Sequence, residues 1–246
     1  MSRSQPGQLY IGTSGFQYRH WRGSFYPEGV PQRRWLEHYA SQFNSVELNA
    51  TFYRLPKQET FMDWRERVPE GFRYALKFSR YATHTRRLQA PESTIPRFLE
   101  AVAPLEGPLG PVLVQLPPSF EANHQRLAAF LEAAPGTCRW VLEFRHQSWL
   151  RDEVLDVLKE HGAGLCVHDR LDDHPWVATA DWVYWRFHGE SHDQPCPAGW
   201  MQRAATWLGE QQAAGRDVYA YFNNDGAGHA PRDALELRRR LKSATG

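Results

Sequence analysis

Seven short apolar runs in this chain end in side chains able to move protons, hold anions or ligate metals. Val46–Asn49 carries Glu47 and Asn49, Tyr74–Phe78 carries Lys77, and Val112–Gln115 ends on Gln115. Trp140–Arg145 carries Glu143 and Arg145, and Leu165–Asp169 carries His168 and Asp169. Trp182–His188 carries Arg186 and His188, and Val218–Asn224 carries Asn223. Glu47 or Glu143 could act as a general acid or base, because apolar surroundings raise a carboxyl pKa towards neutrality. His168 and His188 titrate near neutral pH when unperturbed. Lys77 could form a Schiff base if its neighbours depress its pKa, or it could hold an anion. Arg145 and Arg186 are natural clamps for carboxylate or phosphate. The rival reading is an internal salt-bridge network in which Glu47, Lys77, Glu143 and Arg186 neutralise one another, since buried charges must pair or bind something.

The elements must bring these residues to one place. Along a strand, positions i and i+2 share a face. Glu47 with Asn49, Glu143 with Arg145, Arg186 with His188, and Asn223 with Asp225 are therefore same-face pairs near strand ends. Leu9–Ser14 adds an eighth run. Amphipathic stretches separate most of them: Pro31–Gln42, Glu59–Val68, Thr94–Ala103, a helix capped by Asn123, Asp152–His161, Ala198–Gln212 and Pro231–Leu241. The segment Asp169–Trp176 is too short and polar for a full helix, so the sixth connection is expected to be irregular. Eight strand–helix repeats in 246 residues predict one (β/α)₈ barrel of the TIM type, a single domain over 1–246 with its core at about 9–241. In such barrels the strand C-termini share the face where active sites lie.

The first βα loop, Gly15–Pro27, is long and mixes aromatics with arginines. Either Tyr18 and Trp21 grip a ring or a single nucleic-acid strand, with Arg22 on a phosphate, or the loop simply folds over the barrel mouth. His84, in the basic and hydroxyl-rich loop after the third strand, could reach the mouth. Asn224–His229 is glycine-rich and placed where barrels often hold phosphate, although an ordinary turn explains it better. Ser148 lacks a nucleophile-elbow setting. His168, Asp169, Glu47, Glu143 and His188 could assemble a site for a divalent metal, but no fixed-spacing motif supports one and no cofactor is predicted. The 29 basic and 28 acidic residues nearly balance. That argues against non-specific duplex binding, which needs many uncompensated phosphate contacts. The three cysteines form no CxxC pair, and Cys166 reads as a small core residue. No apolar run reaches membrane-spanning length, so a cytoplasmic protein with no membrane partner is expected.

Ile11–Gly15, Ser45–Tyr53, Lys77-Phe78 with Thr83-His84, Gln115–Phe120, Glu143–Trp149, Arg186–Gly189 and Tyr221–Asp225 together resemble the YecE-like family, domain of unknown function seventy-two. The resemblance runs from about Leu9 to Leu241. It implies a TIM-type barrel and supplies no reaction. Its relatives typically carry a small residue where His168 stands, which favours Asp169 over His168. The leading expectation is an enzyme performing acid–base chemistry, isomerase or hydrolase in type, on a small polar anionic ligand such as a sugar or phosphorylated metabolite. Glu47, Lys77, Glu143, Asp169 and His188 would be catalytic. Arg145, Arg186, Asn49, Gln115, Asn223, Tyr18, Trp21 and His84 would bind substrate. The alternatives are processing or binding of nucleic acid, and non-catalytic capture of a metabolite.

Overall fold

A computed structural model describes residues 5–189 and 194–244. Eight parallel strands form one sheet in the order β1-β8-β7-β6-β5-β4-β3-β2. They are β1 (Leu9–Thr13), β2 (Ser45–Leu48), β3 (Arg73–Lys77), β4 (Leu109–Gln115), β5 (Trp140–Glu143), β6 (Gly164–His168), β7 (Trp182–Phe187) and β8 (Asp217–Phe222). The sheet curls until β1 and β2 meet, giving the predicted (β/α)₈ barrel. The helices outside it are α1 (Trp35–Gln42), α2 (Ala50–Tyr53, a single turn), α3 (Gln58–Glu66), α4 (Pro91–Val102), α5 (His124–Ala133), α6 (Asp152–Glu160), α7 (Ala198–Ala213) and α8 (His229–Ala244). Asn123 caps α5 as expected, its side chain accepting from the Arg126 N–H at 2.9 Å. No helix separates β6 from β7, in line with the polar sequence there.

Every strand is buried along most of its length, and alternation sorts its side chains into two cores. Outward positions such as Val46, Leu76, Val112, Leu142, Val183 and Ala220 pack under the helices. Inward positions Ala75, Leu113, Val141, Cys166, Tyr184 and Tyr221 fill the barrel's middle layer, with Trp182 and Tyr219 among the residues below them. Cys166 is thus the core residue its setting suggested. Two positions further along β3, β4, β5, β6 and β7 stand Lys77, Gln115, Glu143, His168 and Arg186, which the period of two places in the layer above.

The β1–β2 seam is made differently from the other joints. It has one backbone bridge, Ser14 to Glu47, with the Gly15 N–H donating to the Glu47 carbonyl at 2.7 Å. Side chains supply other bonds. Tyr39 accepts from the Thr13 N–H (2.9 Å) and donates to the Ser45 carbonyl (3.0 Å). Asn44 donates to the Leu9 carbonyl at 2.6 Å and accepts from the Ile11 N–H at 3.3 Å. Gly12 permits this approach, because a Cβ there would lie 2.0 Å from the Ser45 carbonyl oxygen.

Candidate functional site

Arg186 is the centre of the upper layer. It is 1% exposed, and both Glu47 and Glu143 are fully buried. Its Nη2 and Nε donate to Glu47 Oε1 at 2.8 and 3.1 Å, and its Nη1 donates to Glu143 Oε2 at 2.6 Å and to Gln115 Oε1 at 3.4 Å. Glu47 also accepts from the hydroxyls of Ser14 and Tyr184, each at 2.6 Å. The other oxygen of Glu143 accepts from Arg145 Nε. Two carboxylates and two guanidiniums therefore balance. Each charge is paired, which is the condition for tolerating the three that are fully desolvated, Glu47, Glu143 and Arg186.

This arrangement changes several of the expected roles. Arg186 is committed to carboxylates on both sides, so it organises the network rather than clamping an external anion. Burial alone would raise the Glu143 carboxyl, but the charges of Arg186 and Arg145 hold it well below its ordinary value. With both oxygens engaged, Glu143 is a permanent anion and a poor proton carrier. The metal set does not assemble either: among the described residues no group of three or more His, Cys, Asp or Glu side chains could hold an ion, and the Arg186 guanidinium lies between Glu47 and Glu143.

His168 and His188 are buried and neutral. His168 Nε2 lies 2.7 Å from the Phe144 carbonyl, while Nδ1 accepts from the Arg170 N–H at 3.1 Å, which fixes the proton on Nε2. Burial lowers its pKa to about 4. His188 Nε2 is 2.8 Å from Arg145 Nη2 and must accept from it. Burial, then the charge of Arg186, hold the His188 pKa well below its usual value. Asp169 is half-buried and lines a separate cavity with Gly189 and Trp200. Its carboxylate accepts from the His188 N–H at 3.0 Å and the Gly189 N–H at 2.7 Å, fastening the turn after β7.

Lys77 is the exception. It ends β3, half-buried, with its Nζ 4.3 Å from the centre of the Phe52 ring. Among the described residues no carboxylate pairs with it. Burial, and next the charge of Arg186, lower its pKa from 10.5 to about 8. Arg145 remains partly open, with 21% of its side chain exposed. Asn49 Oδ1 is buried without a hydrogen-bond partner among the described residues. His84 packs edge-on against Phe52 at 5.0 Å, and burial, then Lys77, lower its pKa to about 4. It sits in a turn of π-helix, Tyr81–Thr85, a conformation frequent at functional sites. Asn223 follows β8, its N–H donating to the Phe187 carbonyl at 2.7 Å.

The long first loop folds over the mouth. Trp21 is fully buried and donates its indole N–H to Asp225 at 2.6 Å. It is therefore not a stacking platform for a nucleic-acid base, and the expectation that it binds substrate is corrected. Tyr18 donates its hydroxyl to the Ser14 carbonyl at 2.7 Å, and burial pushes its pKa up to about 12. Sequence reasoning passed over Ser14 and Tyr184, the two hydroxyls on Glu47. Tyr184 had a usable signal: it stands two positions before Arg186, on the same face.

Parallel strands, outer helices and a polar layer at the strand C-termini place the protein among the TIM-type barrels. Within that class, the chain belongs to the family described as "Protein of unknown function DUF72", whose family model matches residues 10–246. The UPF0759 protein YecE of Escherichia coli K12 is 37% identical over 112 residues, spanning 45% of this chain and 41% of that relative. YunF of Bacillus subtilis is 26% identical over 93% of both chains. A DUF72 family structure from Thermotoga maritima superposes with a TM-score of 0.85 at 28% identity, covering 96% of this chain and 99% of that one. No described helix is long and apolar enough to cross a membrane.

Proposed function

We propose that the barrel mouth is the active site of an enzyme that performs acid–base chemistry on a small anionic ligand, with Lys77 as the proton-carrying group. The observation that carries this reading is the amine at the end of β3, packed on Phe52 and left without a carboxylate partner among the described residues. A lysine with a pKa of about 8 is a mixture of base and acid near neutral pH. Its neutral form can remove a proton, and its protonated form can return one or stabilise developing negative charge. Arg145, whose side chain stays 21% exposed and whose charge reaches Lys77, would meet the anion. Glu47, Glu143 and Arg186 hold Arg145 and the strand ends in place. Lys77 adds a positive charge to a layer in which Arg186 and Arg145 already balance Glu47 and Glu143. Isomerisation and hydrolysis both fit this arrangement.

The test is a pH titration of Lys77 by NMR on carbon-13 dimethylated protein, assigned with Lys77→Arg. A resonance titrating near 8 is expected, moving upward when an anion binds; a midpoint at the ordinary 10.5 would remove the basis of the proposal. Alongside it, sugar phosphates should raise the melting temperature of the parent by more than that of Lys77→Met.

A further inference from the structure

A cavity of about 630 Å³ opens beside the mouth, between α2, the π-helical turn and α4. That volume falls in the range of roughly 300–1,000 Å³ typical of small-molecule sites. Its walls carry Tyr53, Tyr81, Arg54 and Arg97, with the hydroxyls of Ser93 and Thr94 and no aspartate or glutamate among the described lining residues. Tyr53 is 78% exposed and Tyr81 57%, and they are two of the three large hydrophobic side chains described as exposed. Neither arginine has an ion-pair partner among the described residues. Two solvent-facing aromatic rings and two guanidiniums in one hollow can stack on a planar group and meet an anion together.

Phe52 joins this cavity to the mouth. It lines the cavity, meets Tyr53 edge-on at 5.0 Å, and carries the Lys77 ammonium over its ring. We infer that the cavity is a subsite for a ligand combining a flat aromatic ring with a phosphate, in chemical class a nucleoside monophosphate. The ring lies on Tyr53 and Tyr81, the phosphate meets Arg54 and Arg97, and the remainder of the substrate extends past Phe52 towards Lys77. This rests on the reading of the mouth as an active site only for that last step; the subsite itself stands on its own lining.

Calorimetric titration of the full chain with adenosine 5′-monophosphate, adenosine and inorganic phosphate separates the parts. Adenosine 5′-monophosphate should bind, and more tightly than either half. Arg54→Ala with Arg97→Ala should weaken it by about tenfold or more, the worth of one charge-assisted contact. Tyr53→Ala with Tyr81→Ala should weaken it by about fivefold or more while leaving phosphate binding unchanged. All four side chains are largely solvent-facing, so these variants keep the fold. Lys77→Met should leave this affinity unaltered, because the probe does not reach the mouth. No binding by the parent at millimolar concentration, or full binding by the double arginine variant, overturns the subsite. Ribose 5-phosphate binding as tightly as adenosine 5′-monophosphate overturns the aromatic half and with it the ligand class. Loss of binding in Lys77→Met with the arginine variant unaffected places the anion at the mouth, which ends this inference and leaves the reading of the mouth standing.

Discussion

Arg186→Met tests whether the charged layer is a mutually dependent network. The substitution keeps an unbranched side chain of similar reach but deletes the cation between two carboxylates that are fully buried. Glu47 keeps the Ser14 and Tyr184 hydroxyls and Glu143 keeps Arg145. The loss is therefore that of one broken buried ion pair, about 3–5 kcal/mol, rather than of two. For a chain of this length about 1 kcal/mol shifts the melting temperature by roughly 2–4 °C, so a drop of about 6–20 °C is expected. The effect must depend on pH with a definite sign. In the parent, the Glu143 carboxyl lies well below 4.5, so its contribution is present above that pH and fades only as pH falls through the depressed value. Without Arg186 the Glu143 carboxyl loses the larger of the charges that hold it down, so the variant gains less from rising pH than the parent does. The gap between parent and variant should widen from acid towards neutral pH in urea denaturation. A gap below about 1 kcal/mol at pH 7, or one that narrows as pH rises, would refute the reasoning. Adding Glu47→Gln and Glu143→Gln should recover part of the loss, since neutral partners no longer need the cation.

Lys77→Met should be stabilised relative to the parent by about 3 kcal/mol at pH 7, with the difference vanishing between pH 8 and 10.5 as the parent's amine sheds its proton; equal pH profiles in chemical denaturation would contradict the depressed pKa. His168 stays neutral down to about pH 4, so the unfolded chain binds the extra proton first and stability falls from pH 6.5 towards 4; His168→Gln should flatten that slope by about 3 kcal/mol in the same assay. Asp169→Ala leaves the N–H groups of His188 and Gly189 without their acceptor and should cost about 1–3 kcal/mol, with faster amide exchange at both positions.

The barrel was legible because its signal is repeated. Side chains on one face recur with a period of two and each of these apolar runs carries a polar residue near its end, so Glu47, Lys77, Gln115, Glu143, His168 and Arg186 could be assigned to one layer from spacing alone. Pairing within that layer was not legible. The rival reading placed Lys77 inside an ion-pair network, yet Arg145 takes that position, because Arg145 follows β5 directly beside Glu143 while Lys77 turns onto Phe52. That choice depends on rotamers and on the neighbouring turn α2, only four residues long and too short to leave a period. The aromatic loop was ambiguous for a different reason. Trp21 has the same composition signal whether it grips a ligand or closes a core, and only the position of Asp225, about two hundred residues away in sequence, decides it.

The joint between the first two strands has a consequence for motion. A seam held by one backbone bridge and by the side chains of Tyr39 and Asn44 has few backbone bonds to lose, whereas elsewhere a whole ladder must break. Opening would start at this edge, and Tyr39→Phe should make the Thr13 amide exchange early while the β7–β8 amides stay protected. Because Glu47 and Ser14 face each other across the same edge, any breathing of the wall is felt at once by Arg186. The least cooperative line in the cylinder thus runs straight into its charged crown.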